Sequence, residues 1–294
     1  MAQALSDKNE KNITKVLLVG KNSYIGKSLM HYSPDDICFK SISVRTDNWK
    51  DMDFSEFDCI VHLAAIVHKK KRMDEKIFFQ VNTDLAIKIA RKAKKDGVPN
   101  FILFSTIAVY GDVSPETDLI TKDTKLNPSS LYGESKRQAE MAINELSSKS
   151  FKVAIIRPPM VYGKNSPGNF SLLEKLALHW GIFPNITNSR SMIYIENLCY
   201  LIYIIISNRL DGTYLPQNKE YVVTNNLISL IRKEHRKRTY FILGRFSRFI
   251  FSLLSLSLIK KVYGDLMIDQ SSSDFELDYN QISFQGSITA TQKK

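Results

Sequence analysis

Along the first half of the chain, short unbroken apolar runs alternate with longer stretches in which apolar residues recur every three or four positions. The runs at 15–19, 38–44, 59–63, 100–105 and 152–156 read as strands, and 25–32, 74–95 and 130–146 read as helices between them. Strands that are apolar throughout, each followed by a helix, predict a parallel sheet buried under helices on both faces. The expected fold class is therefore α/β, a doubly wound parallel sheet over residues 15–160. After Arg157-Pro158-Pro159 the pattern changes, because two prolines end the strand and residues 163–169 are loop-like. A smaller C-terminal lobe is expected at 161–191 and 229–294. Part of 192–228, including an apolar helix around 197–207, is expected to complete the sheet. Residues 1–14 carry no apolar run and read as a flexible tail, not a signal peptide, and 285–294 read as a frayed end.

Composition narrows this picture. Cys38, Cys59 and Cys199 are widely spaced in apolar runs, so they read as buried thiols in a reducing compartment, with neither a disulfide framework nor metal-ligand spacing. A net charge of +11 invites nucleic acid as a partner, but no basic-aromatic recognition module is present. The charge fits a cytoplasmic protein whose substrate bears phosphate. The run His68-Lys69-Lys70-Lys71-Arg72 reads as a solvated loop. Residues 232–261 hold nine Lys or Arg and one acid, Glu234, around the eleven apolar or small residues 249–259. A bilayer span needs about 20 residues. The stretch reads first as a packed helix of the lobe and alternatively as an interfacial helix on anionic lipid, giving a membrane-peripheral protein. A homodimer is compatible with this composition.

The chemistry begins at Val19-Gly20-Lys21-Asn22-Ser23-Tyr24-Ile25-Gly26, a turn between the first strand and first helix. Gly20 permits a sharp exit and Gly26 a close helix-strand approach, so the helix amides can meet a dinucleotide pyrophosphate. Ser23 stands where a third glycine is usual. Arg45, just past the second strand, favours NADP(H), while NAD(H) stays open because arginine also stacks on adenine. About a hundred residues later come Tyr132 and Lys136, four apart on one helix face. The lysine ammonium is expected to lower the phenol pKa and to reach the nicotinamide ribose. Thr106, at the end of the strand 100–105, can hydrogen-bond the reacting oxygen beside Tyr132.

In this order the motifs resemble the extended short-chain dehydrogenase/reductase superfamily, in its nucleotide-sugar epimerase/dehydratase branch. Further matching residues are His62-Leu63-Ala64-Ala65, Asn82, Val109-Tyr110-Gly111 and Arg157-Pro158-Pro159-Met160-Val161-Tyr162-Gly163. The resemblance implies a Rossmann-like domain with a substrate-binding lobe. It implies cofactor contacts from Gly20, Ser23, Tyr24, Ile25, Gly26, Arg45, Leu63, Ala64, Ala65, Asn82, Tyr132, Lys136 and Pro159. It also implies substrate contacts from Thr106, Tyr132, Asn169 and Arg190, catalysis by Thr106, Tyr132 and Lys136, and no metal. Family dehydratases carry Asp-Glu after the threonine, and Ile107-Ala108 stand there instead. Two reactions at C4 of a UDP-sugar remain, 4-ketoreduction and 4-epimerisation, beside a non-catalytic dinucleotide sensor. The segments 151–163, 167–170 and 190–195 are similar to capsular-polysaccharide 4-ketoreductases acting on UDP-linked 6-deoxy-N-acetylhexosamines, which favours the reductase.

Overall fold

The computed structural model describes residues 13–67, 74–111, 119–242 and 263–293. Six parallel strands form the central sheet: β1 (Thr14–Val19), β2 (Ile37–Ile42), β3 (Cys59–His62), β4 (Asn100–Phe104), β5 (Lys152–Ile156) and β9 (Gly212–Tyr214), in the order β2-β1-β3-β4-β5-β9. Two two-stranded ribbons of the lobe supply the other strands: β6 (Met160–Tyr162) pairs with β8 (Met192–Tyr194), and β7 (Ile182–Pro184) with β10 (Tyr240–Ile242), all parallel.

The unbroken apolar runs are explained by burial on both faces. Along β1, Val16 and Leu18 enter one core while Leu17 and Val19 enter the other. On the Leu17 side lie α3 (Leu85–Lys95) and α4 (Leu131–Asn144), through Ala86, Ile89, Ala90, Ala93, Ala139 and Ile143. The Val16 side is covered by α1 (Tyr24–His31) and α6 (Ile195–Ser207), and it runs on into the lobe helices α5 (Asn169–His179) and α7 (Thr224–Glu234). The two halves of the chain therefore share one of the two cores, and β9 brings residues from beyond 192 to the edge of the sheet.

The long helix expected at 74–95 is interrupted. A turn of α-helix, α2 (Lys76–Phe79), passes into a π-helical turn at Gln80–Asp84 before α3 begins. Such bulges occur where a helix must turn a side chain out of its regular phase, and here that side chain is Asn82.

Three expectations need correction or lie elsewhere. Cys38 is exposed, because β2 is the sheet edge and alternates buried with open positions, whereas Cys59 and Cys199 are buried. Residues 285–294 are not frayed as a whole: α8 (Phe284–Gln292) caps with Ser283, whose Oγ accepts from Gly286 N, and buries Ser287, Ile288 and Thr291. Ser287 Oγ lies 2.6 Å from Tyr162 Oη. The basic run 68–72 and the apolar stretch 249–259 fall outside the described residues.

Candidate active site

Strand order reverses between β1 and β3, which opens a crevice at their carboxyl ends. Gly20 leaves β1 with φ +125°, and a Cβ built there would lie 3.0 Å from Ala64 N and 3.2 Å from the Leu63 carbonyl carbon. On Gly26 it would lie 3.0 Å from Leu63 Cδ1. Glycine is thus demanded at position 20 by its backbone conformation and by the approach to Leu63-Ala64, whereas at 26 it keeps α1 close to the Leu63 side chain; Ala65 is half-buried beside them. Ser23 caps α1 by accepting from Gly26 N at 3.4 Å, which is a role for a hydroxyl where glycine is usual. Tyr24 and Ile25 open the helix, and the buried Tyr24 hydroxyl would lie 2.8 Å from a Cβ on Gly163. A bare backbone turn leading into helix amides fits a pyrophosphate. Arg45 is exposed just beyond the end of β2, and Pro159 is buried beyond β5.

Asn82 is buried and hydrogen-bonded to both the exit of β3 and α4. Its Oδ1 accepts from Ile66 N at 2.8 Å, and its Nδ2 donates to Ile66 O at 2.9 Å and Ser135 Oγ at 3.0 Å. The π-turn therefore ties the exit of β3 to α4, one residue from Lys136.

Thr106, Tyr132 and Lys136 do converge. Thr106 follows β4 and its Oγ1 accepts from Ala108 N at 3.2 Å, capping a 3-10 turn at Ile107–Tyr110. Ser130 caps α4 through Gly133 N at 3.0 Å, which starts the helix two residues before Tyr132. Helix and turn touch at Gly133, where a Cβ would stand 2.5 Å from Ala108 O and 2.9 Å from Pro128 Cβ. We expect Gly133→Ala to cost about 1–3 kcal/mol and to pull Tyr132 from Thr106; unchanged turnover and melting in that variant would contradict the contact.

The electrostatics differ from expectation. Burial pushes the Tyr132 phenol up to about 12, opposed by a hydrogen bond with Thr106, and Lys136 is not among the causes. The reason is that Lys136 is itself buried and donates from Nζ to Phe104 O at 2.7 Å. Its own pKa falls to about 8 through burial, with Glu140 one turn further along α4 resisting the fall. His62, wholly buried at the end of β3, is pushed down to about 3, first by burial and then by Lys136. It stays neutral.

A buried network not foreseen from sequence supports this set. Arg157 donates from Nη2 to Glu140 Oε2 at 2.6 Å, from Nε to both Glu140 oxygens at 3.1 Å, and from Nη1 to Tyr110 Oη at 2.7 Å. It thereby joins the end of β5, the helix of Tyr132 and Lys136, and the turn of Thr106. The signal was available, since Glu140 lies four residues after Lys136 and Arg157 opens the Arg-Pro-Pro motif.

Of the expected substrate residues, Asn169 is exposed at the first position of α5, after Gly168 at φ +81°. Arg190 is half-buried where its backbone bridges Val222 and Leu266. Burial lowers its pKa and Asp265 opposes this.

What this crevice and its proton-transfer set define is an NAD(P)-dependent enzyme of the extended short-chain dehydrogenase/reductase type. The chain belongs to the NAD dependent epimerase/dehydratase family, whose model matches residues 5–223. It is 27% identical over 84% of its length to the N-acetyl-alpha-D-glucosaminyl-diphospho-ditrans,octacis-undecaprenol 4-epimerase of Escherichia coli O157:H7, spanning 81% of that protein. It is 31% identical over 67% of its length to the UDP-glucose 4-epimerase of Vibrio cholerae, spanning 63% of it. The fold matches UDP-glucuronic acid 4-epimerase from Bacillus cereus in complex with NAD, with TM-score 0.72 at 20% identity over 95% of this chain and 97% of that one. The family is one of dinucleotide-dependent enzymes, with nucleotide-sugar epimerases among this chain's relatives. No helix among the described residues is long and apolar enough to cross a membrane.

Proposed function

We propose that the protein reduces a 4-keto sugar held on a diphosphate, with the UDP-linked 6-deoxy-N-acetylhexosamine of capsule or O-antigen synthesis as its substrate class. The observation that carries this reading is the phenol of Tyr132, kept protonated by burial and hydrogen-bonded to Thr106. A ketone needs a proton donor as it is reduced, and a phenol held at about 12 is charged with its proton at neutral pH. When bound, the dinucleotide supplies the hydride. Tyr132 gives its proton to the C4 oxygen, and Thr106 orients that oxygen. Lys136 keeps two N–H donors beyond its bond to Phe104 O, and these are the donors proposed for the ribose hydroxyls. Arg45 supports NADP(H) as the preferred cofactor, while Asn169 and Arg190 are the residues offered to the diphosphate. Ile107 and Ala108 carry no proton-transfer group, which speaks against dehydration.

The 4-epimerase reading is favoured by a specific observation of its own, that both curated relatives above carry that activity in their names. The test is to mix the purified protein with a UDP-4-keto sugar and NADPH and follow absorbance of the reduced nicotinamide. Stoichiometric loss supports the reductase. Interconversion of UDP-hexoses without added reductant would replace it by the epimerase, and neither activity would remove both.

A pH dependence follows from Lys136. Its folded pKa of about 8 leaves it charged below that value and neutral above it. Turnover at saturating substrate is expected to be level below pH 8 and to fall as pH rises through it. A profile level to pH 10 would show that the ammonium is not needed.

A further inference from the structure

The ribbon formed by β7 and β10 presents an apolar face beside a cluster of exposed cations, outside the active site. Ile182 and Tyr240 are register partners in this ribbon, and they are 50% and 56% exposed. In a parallel pair, register partners lie on one face, so the two make a single apolar patch. On the opposite face Phe183 is buried and Phe241 is 37% exposed, their rings tilted at 50° with centres 6.4 Å apart. At the entry to β10 stand Lys233, Arg236, Lys237 and Arg238, all exposed. Among the described residues no carboxylate forms an ion pair with any of them. The acid within this stretch, Glu234, accepts from Thr289 Oγ1 at 2.7 Å, and Glu174 nearby accepts from Gln292 Nε2.

The patch is held rigidly. Arg232 is buried beneath it and donates from Nη1 to Ala177 O at 2.7 Å and to Trp180 O, and from Nε and Nη2 to Arg238 O. Its guanidinium also lies 5.7 Å from the Phe183 ring centre. One buried cation thus gathers the end of α5, the end of α7 and the turn into β10, so that the exposed cations and the Ile182–Tyr240 face are fixed relative to each other. Lys237 Nζ reaches Leu178 O at 2.6 Å, which keeps its charge at the same rim.

We propose that this face docks the protein on an anionic lipid bilayer. A tyrosine and an isoleucine flanked by cations match an interface whose outer layer is negative and whose next layer is apolar. Nucleic acid would use the cations and stack a base on Tyr240, but it leaves the aliphatic Ile182 without a partner. Docking does not depend on which C4 reaction the active site performs, and its measurement does not pass through turnover.

The test is co-sedimentation of the full chain with phosphatidylcholine vesicles, with and without phosphatidylglycerol. Binding is expected only with the anionic lipid and should weaken as salt rises. Lys233→Gln combined with Arg236→Asn removes two cations, and asparagine suits the positive φ of 55° at position 236. Partitioning should fall about 25-fold, at about fivefold per cation. Tyr240→Ser, which leaves every charge in place, should weaken binding by itself while melting and turnover of a soluble substrate stay unchanged. The proposal is overturned by absence of binding in the unsubstituted protein, by equal binding to neutral vesicles, or by no loss in either variant. It is also overturned if RNA competes fully and Tyr240→Ser has no effect, which would mark a general polyanion patch.

Discussion

Replacing Tyr132 with phenylalanine should slow turnover by about a hundredfold or more, in line with the loss of a positioned acid. Phenylalanine keeps the ring in its half-buried slot against Gly133 and the Thr106 turn, so folding and dinucleotide binding should survive. What disappears is the proton donor and the partner of the Thr106 hydroxyl. Thr106 would still hydrogen-bond the C4 oxygen, which leaves a residual rate. Single-turnover measurement with saturating NADPH checks this, alongside dinucleotide affinity by fluorescence. If the variant turns over near the normal rate, the phenol has no part in the chemistry, whichever direction the reaction runs.

The second large effect concerns the buried pair Glu140–Arg157. Glu140→Gln should destabilise the fold by about 3–5 kcal/mol, because it leaves the Arg157 guanidinium buried without its counter-charge. Both residues are almost fully enclosed, at 2% and 8% exposure. Urea unfolding measures the loss. By contrast, removing Glu56 from its exposed pair with Lys40 should change stability by no more than about 1 kcal/mol. Glu140→Gln also takes away the charge that resists deprotonation of Lys136, so in that variant the fall in turnover should begin below pH 8. Replacing both partners, as Glu140→Leu with Arg157→Met, should recover part of the stability but not the pH edge. A Glu140→Gln loss within 1 kcal/mol would show that the pair is not the tie between α4 and β5 described above.

The sheet was legible in the sequence because its strands are buried on both faces. A run such as Val16-Leu17-Leu18-Val19 has no polar alternation to confuse with a helix, and Leu17 and Val16 indeed enter different cores. The Thr106–Tyr132–Lys136 set was legible from spacing. What spacing does not carry is the dielectric around a side chain. Lys136 stands one turn from Tyr132, yet it turns to Phe104 O, and burial outweighs any charge effect on the phenol. Cys38 was misread for a related reason, since an apolar run does not reveal that its strand lies at the sheet edge. The helix over Phe284–Gln292 was hidden because Ser, Thr and Gln fill it, and its place is secured by contacts with residues more than fifty positions away.

That helix has a consequence for how the protein is made. Tyr162 lies on the lobe strand β6, and its hydroxyl meets Ser287 of α8 and accepts from Asn218 Nδ2. During synthesis the dinucleotide sheet therefore emerges from the ribosome long before the segment that closes the seam beneath Tyr162. Until residues 284–292 arrive, α7 lacks the helix that packs against it, and the nascent chain offers chaperones and proteases a window that the finished molecule has shut.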